Sequence, residues 1–142
     1  MEYNETLQVL SRQHLEDRMK CRELMRDIQQ RGDKITIKQN LIRFWQNELR
    51  KHVDIEEQVL LPFLQAHHFH YDFINVLRRD HDTIRTLAER LPLHDDGYYL
   101  YKAFVKLVEQ HSHFEDEIVF RKMKEELPSQ ELEQLNVSMR RV

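Results

Sequence analysis

The chain has 142 residues, a length that fits one domain with a real core. Two glycines and three prolines in that length exclude a turn-rich sheet protein and favour long helices. A net charge of -3 with scattered basic residues excludes a nucleic-acid footprint, and no apolar run is long enough to cross a membrane.

The single cysteine, Cys21, excludes an intramolecular disulfide and any multi-cysteine zinc or iron–sulfur site. No signal-peptide pattern opens the chain, so a reducing cytoplasm is the expected address. Histidine is the outlier, with nine copies.

The first helix is expected over about 4–31, with Leu7, Leu10, His14, Cys21, Leu24, Met25 and Ile28 at helical spacing and Gly32 as the stop. Asp33 caps a second helix over about 34–65, whose inner face carries Leu41, Trp45, Leu49, His52, Ile55, Val59, Leu60 and Phe63. Pro62 is placed to kink its last turn. A short turn follows, from Gln65 to His70, without glycine or proline. The third helix, over about 71–91, aligns Ile74, Leu77, His81, Ile84, Ala88 and Leu91. The segment from Pro92 to Gly97 is the clearest loop. A fourth helix over about 97–127 buries Phe104, Leu107, Val108, His111, Phe114, Ile118 and Val119, and Pro128 ends it before a short helix over about 129–138. The expected fold is all-α: an up-down-up-down antiparallel four-helix bundle with a short C-terminal helix, one domain over 1–142.

His14, His52, His81 and His111 each lie on the apolar stripe of a different helix. In an antiparallel pair, residues at equal height are equidistant from the connecting turn, because each residue advances about 1.5 Å. The midpoint of His14 and His52 is Asp33; that of His52 and His81 falls between Ala66 and His67; that of His81 and His111 is Asp96. All three fall in expected turns, so the four imidazoles belong to one layer.

Glu56 follows His52 by four residues, and Glu115 follows His111 by four, so both carboxylates share their histidine's face. Two carboxylates buried unpaired would cost several kcal/mol each, and a pair of cations offsets that cost. Imidazole with carboxylate suits iron better than calcium or magnesium; zinc and manganese remain alternatives. The segment from His52 also repeats in the segment from His111, and Arg18 and Arg85 follow His14 and His81 by four residues. A pseudo-twofold arrangement follows, each metal taking two histidines and sharing Glu56 and Glu115.

This constellation resembles the hemerythrin-like, or HHE cation-binding, family across essentially the whole chain. The shared parts are a lone histidine on the first helix, His-x-x-x-Glu on the second running into Leu-Leu-Pro62, a histidine on the third and His-x-x-x-Glu on the fourth. The resemblance implies the metal ligands His14, His52, Glu56, His81, His111 and Glu115. It implies two iron ions, cycling between ferrous and ferric, with a bridging oxo or hydroxo group. Oxygen-carrying members have a second histidine where this chain has Arg85, and end on an aspartate at the spacing of Asp116. Glu115 is favoured over Asp116 because it repeats the His52–Glu56 relation.

Other residues carry a plainer reading beside a sharper one. His67, His68 and His70 are an exposed turn or a surface metal patch; His94 is loop; His113 faces solvent or supports the site. Glu57 and Asp116 are exposed or stand behind the ligands. Arg18 and Arg85 either steer anions to the site or pair with nearby acids. Cys21 is core. Phe44, Trp45, Phe63, Phe104 and Phe114 are core or line a gas-sized pocket, and Tyr98, Tyr99 and Tyr101 cap the bundle end or form an oligomer contact.

The functional expectation is a di-iron protein that binds dioxygen or a related small ligand, such as nitric oxide or peroxide, for storage, delivery or sensing. The alternative is a redox enzyme acting on nitric oxide or peroxide, or an iron donor in iron–sulfur cluster repair. The repair proteins usually carry a cysteine-bearing N-terminal domain, and this chain starts almost directly with its first helix, which weakens that analogy. A metal-free interaction or phosphotransfer bundle needs one exposed histidine, not four in a buried layer. No membrane or nucleic-acid partner is expected.

Overall fold

The computed structural model describes residues 4–93 and 97–142, and these contain four long helices, one short one and no strand. Helix α1 spans Glu5–Gln29. Asn4 caps it, its side-chain oxygen accepting the Leu7 N–H at 3.1 Å. The chain then reverses with Arg31 at φ 53°, and the Gly32 N–H donates to the Asp27 carbonyl at 3.0 Å. The left-handed residue is Arg31, immediately before Gly32, the expected stop. Glycine serves there for close approach: a Cβ on Gly32 would stand 3.4 Å from that same carbonyl and 3.6 Å from Ile37 Cδ1.

Helix α2 runs over 34–66 as one rod, capped by Asp33, which accepts from the Thr36 N–H at 3.0 Å and the Thr36 hydroxyl at 2.7 Å. It is interrupted by two π turns, Trp45–Leu49 and Glu56–Leu60. Pro62 lies just after the second, in the first turn of Leu61–Ala66. A turn over 67–70 leads into α3, Tyr71–Arg90. Helix α4 covers 98–126 and contains a third π turn, Glu115–Val119. Pro128 then introduces α5, Ser129–Arg140. The midpoint residue Asp96 and the loop residue His94 lie outside the described residues.

The helices pack in the order α1, α2, α3, α4 around the bundle, with α4 returning to α1. Helix α5 closes one end. Its Asn136 side chain accepts the Thr6 N–H at 3.0 Å, and Asn4 donates to the Leu132 carbonyl at 3.1 Å. At the other end Tyr101 is buried and Tyr98 donates its hydroxyl to the Gly32 carbonyl at 2.8 Å, while Tyr99 is exposed. Two of the three tyrosines therefore cap the bundle.

The apolar interior is in two parts. One is built on Leu24, Leu41, Phe44, Leu49, Ile84 and Phe104; the other on Leu7, Leu10, Leu60, Leu64, Ile74 and Phe120. Between them lies a polar layer. No helix among the described residues is long and apolar enough to cross a membrane. One expected core residue is misplaced: Ile118 is 42% exposed, while Val119, also expected in the core, is fully buried. The π turn over Glu115–Val119 is the cause, because its extra residue rotates everything after Glu115. Met25, Ile55, Leu107 and Phe114 are half-buried at the rim of the two clusters.

Candidate metal centre

The polar layer contains His14, His52, Glu56, His81, His111 and Glu115, none more than 6% exposed. The structure brings together all six residues singled out by spacing. They form two overlapping groups: His14 and His52 with both glutamates, and His81 and His111 with the same two. Within each group the nearest nitrogen and oxygen atoms all lie within 4.8 Å of one another. The rings of His14 and His52 stack with centroids 4.5 Å apart, and those of His81 and His111 meet edge to face at 4.8 Å.

Each carboxylate divides its oxygens between the two histidine pairs. Glu56 Oε2 lies 3.3 Å from His14 Nε2 and 3.1 Å from His52 Nε2, whereas its Oε1 lies 3.0 Å from His81 Nε2 and 3.8 Å from His111 Nε2. Glu115 repeats this: Oε2 is 3.3 Å from His14 Nε2, and Oε1 is 4.0 Å from His81 Nε2 and in close contact with His111 Nε2. Both π turns that begin on these residues, Glu56–Leu60 and Glu115–Val119, fall at matching places in the repeat. Arg121 stands where Pro62 stands in the other half, so the π turn accompanies the carboxylate and does not depend on proline.

All four Nε2 atoms face inward, and each Nδ1 meets an acid from behind. His14 Nδ1 is 2.7 Å from Asp116 Oδ1, and His111 Nδ1 is 3.0 Å from Asp80 Oδ2. His52 Nδ1 is 3.5 Å from Asp17 Oδ2, and His81 Nδ1 is 3.7 Å from Glu57 Oε2. Such partners fix the tautomer and aim of a ligating imidazole. Two of the acids are themselves clamped. Arg18 donates to Asp116 Oδ2 and to the Ser112 hydroxyl, at 2.7 and 2.9 Å. Arg85 donates to Asp54 at 2.7 Å and makes a short contact with Glu57. Arg85 therefore pairs with acids on α2 and does not reach into the layer.

Asp116 acts from behind His14, while Glu115 is fully buried among the imidazoles, as the His52–Glu56 relation suggested. Asp17 and Asp80 escaped the sequence reading. Asp17 could have been found, since it continues the stripe Leu10, His14, Cys21 at heptad spacing. Asp80 lies beside the stripe, and only the packing of α3 on α4 brings it to His111. Among the described residues, the remaining histidines stand apart from the layer. His67 reaches Gln134 at 3.2 Å, His70 reaches Glu126 at 2.8 Å, and His113 reaches Glu117 at 3.1 Å. Cys21 is fully buried, and burial pushes its thiol up.

The chemistry of the layer fits a cation. His52 Nε2, His111 Nε2 and both oxygens of Glu115 are buried without a hydrogen-bond partner among the described residues, and they converge. Burial alone would neutralise the imidazoles, yet the Glu115 charge, with hydrogen bonds that His14 donates to Asp116 and Glu56, holds His14 well above its usual range. His111 is held up in the same way by Glu115, Asp80 and Glu56. Glu56, against a large burial penalty, is held well below the usual carboxylate range by His52 and its other neighbours. In the metal-free chain, protons do the neutralising that a cation would do.

A cavity of about 20 Å³ adjoins the layer, lined by His14, His52, His111 and Glu56 on one side and by Leu49, Val53, Ile84 and Val108 on the other. That is room for about one water-sized molecule. None of the five aromatic residues considered for this role lines it.

No curated protein and no solved structure matches the chain. The Hemerythrin HHE cation binding domain matches residues 5–123, from the first turn of α1 to the far side of the π turn in α4. That stretch includes all six residues of the layer, and the chain belongs to the hemerythrin HHE cation-binding domain family.

Proposed function

We propose that the layer holds two iron ions, one between His14 and His52 and the other between His81 and His111, with Glu56 and Glu115 shared. The observation that carries this reading is the division of each carboxylate, one oxygen toward each histidine pair. A single ion would leave half of these atoms without a partner. Imidazole and carboxylate in this ratio suit iron over the hard cations that prefer all-oxygen shells. Bound iron supplies electrons, one per ion, to a small oxidant.

The chain's own residues set what that oxidant can be. The cavity beside the layer has room for about one water-sized molecule, and its lining includes Leu49, Val53, Ile84 and Val108, which favours a small uncharged ligand. Arg85 is turned toward Asp54 and Glu57, and among the described residues the His81 side has no further protein donor. We read the protein as a binder of dioxygen, nitric oxide or peroxide in the cytoplasm, serving storage, delivery or sensing. The same absence of a fifth histidine favours a second reading, turnover of nitric oxide or peroxide.

Protein loaded anaerobically with ferrous iron is expected to hold about two ions per chain by coordination count. His52→Ala or Glu56→Ala should lower this sharply, and full metal content in those variants would show the ligand assignment to be wrong. Mixing the ferrous protein with oxygen separates the two readings. A coloured species that bleaches under vacuum supports binding, and irreversible oxidation with turnover supports an enzyme.

A further inference from the structure

The two halves of the layer are related by the repeat, so each surface approach to it has an internal counterpart for comparison. Between α1 and α2 lies a cleft of about 320 Å³ whose wall includes Glu16, Asp17, Glu48, Lys51 and His52. The residues at the equivalent places between α3 and α4 are Thr83, Ile84, Leu107, Gln110 and His111. Three acids in one half therefore stand where the other half has a threonine and two aliphatic side chains. Lys51 offsets one of those charges, which leaves the cleft acidic.

Asp17 and His52 line both this cleft and the inner cavity, so this pair is the wall between solvent and layer. The wall is loosely made. The His52 Nδ1 has no hydrogen-bond partner among the described residues, and Asp17 Oδ2 stands off at 3.5 Å. On the other side the counterpart is sealed, with Ile84 buried at 2% exposure and His111 Nδ1 held by Asp80 at 3.0 Å.

We propose that the α1–α2 cleft is the route by which a divalent cation reaches the layer, drawn in by Glu16 and Glu48 and passed at the Asp17–His52 wall. The proposal rests on the reading of the layer as a metal centre. Fixed negative charge at the mouth of a cleft with low-dielectric walls raises the local concentration of a cation and its rate of arrival. Glu16 and Glu48 are exposed and form no hydrogen bond or ion pair with the six residues of the layer, so they govern arrival and not retention.

The test is stopped-flow uptake of cobalt(II) by metal-free protein, followed by cobalt absorbance, with content at equilibrium measured separately. Removing both charges in a Glu16→Gln, Glu48→Gln variant should slow uptake about three- to tenfold at low ionic strength. The difference should shrink as salt is added, and the cobalt content at equilibrium should match the unaltered chain. A control variant, Asp72→Asn with Glu125→Gln, loses the same charge at exposed sites elsewhere and should load at the original rate. Uptake that is unchanged in the cleft variant overturns the proposal, and so does equal slowing in the control. A lower equilibrium content in the cleft variant overturns it too, because the two glutamates would then be holding metal. An unaltered chain that takes up no cobalt fails differently: it removes the metal-centre reading beneath the proposal.

Discussion

Each imidazole of the layer has an acid behind it, and the four acids stand at graded distances: 2.7 Å for Asp116 and 3.0 Å for Asp80, which are hydrogen bonds, and 3.5 Å for Asp17 and 3.7 Å for Glu57, which are not. The tightest is also the most anchored, since Asp116 takes an Arg18 N–H at 2.7 Å and the Ser11 hydroxyl at 3.1 Å. Asp116→Asn should therefore weaken metal binding in the His14 half by about 10- to 100-fold, the usual effect of losing such a partner. Glu57→Gln, acting over the longer distance, should have the smaller effect. Chelator competition followed by metal analysis checks both, and equal losses would mean that these distances do not set ligand orientation. At this scale the sequence was informative wherever a residue's role follows from its own helix. The i to i+4 relations of His52 with Glu56 and His111 with Glu115 are of that kind. The Asp80–His111 contact joins two helices and depends on how α3 and α4 are rotated, which spacing within either helix does not record.

Among the elements, the turn between α2 and α3 shows how a reversal is made without glycine. His68 takes φ 52° and His70 takes φ 22°, while the Phe69 N–H closes the end of α2 by donating to the Leu64 carbonyl at 2.9 Å. Histidine tolerates the left-handed region better than most residues, but a Cβ there still costs about 1–2 kcal/mol. Glycine at the same place avoids that cost and loses about 0.5–1 kcal/mol of chain entropy. His68→Gly should thus stabilise the fold by up to about 1 kcal/mol, visible as a higher midpoint in urea. A lower midpoint would mean that the side chain's 3.5 Å contact with Tyr71 matters more than its backbone. Helix limits were legible to within a residue or two because caps and breakers mark them: Asp33, Gly97 and Pro128. The π turns were not, since His-x-x-x-Glu looks the same whether the next turn has its normal complement or one residue more.

For the molecule as a whole, the layer is a charged slab between two apolar clusters, and its net balance depends on protons when no metal is bound. His14, His52 and His111 have raised values, so their contribution to stability is complete below about 6.5 and fades as pH rises through those values. Burial pushes Asp17 up to about 6, so it too favours the fold at low pH and ceases to do so above that value. Glu56 has a lowered value and loses its contribution only as pH falls below about 4.5, so it does not reverse the trend near neutrality. The metal-free chain should therefore melt at progressively lower temperature from about pH 6 upward. With metal bound, the cation replaces those protons and the melting temperature should be nearly flat over the same interval. Thermal melts of both forms across pH 5 to 9 check this, and parallel curves would mean that the layer's protons do not contribute to folding. The existence of the slab was legible from the equal heights of the four histidines, because helix rise is nearly constant and the turns are short. The split of the hydrophobic residues into two clusters is the same fact seen from the apolar side.

The π turn in α4 makes that helix one residue longer than the straight rod it imitates. Removing a single residue between Glu115 and Val119 would restore regular winding without breaking the chain or losing a residue of the layer. Everything beyond that point would then turn by about 100° about the helix axis. Val119, Phe120 and Met123, buried at 0%, 1% and 0% exposure, would swing away from the apolar cluster built on Leu7, Leu10, Leu60 and Leu64. Helix α5, joined after Pro128, would have to follow them. The extra residue works as a phase correction. It lets one face of α4 serve the polar layer at Glu115 and an apolar core immediately after it.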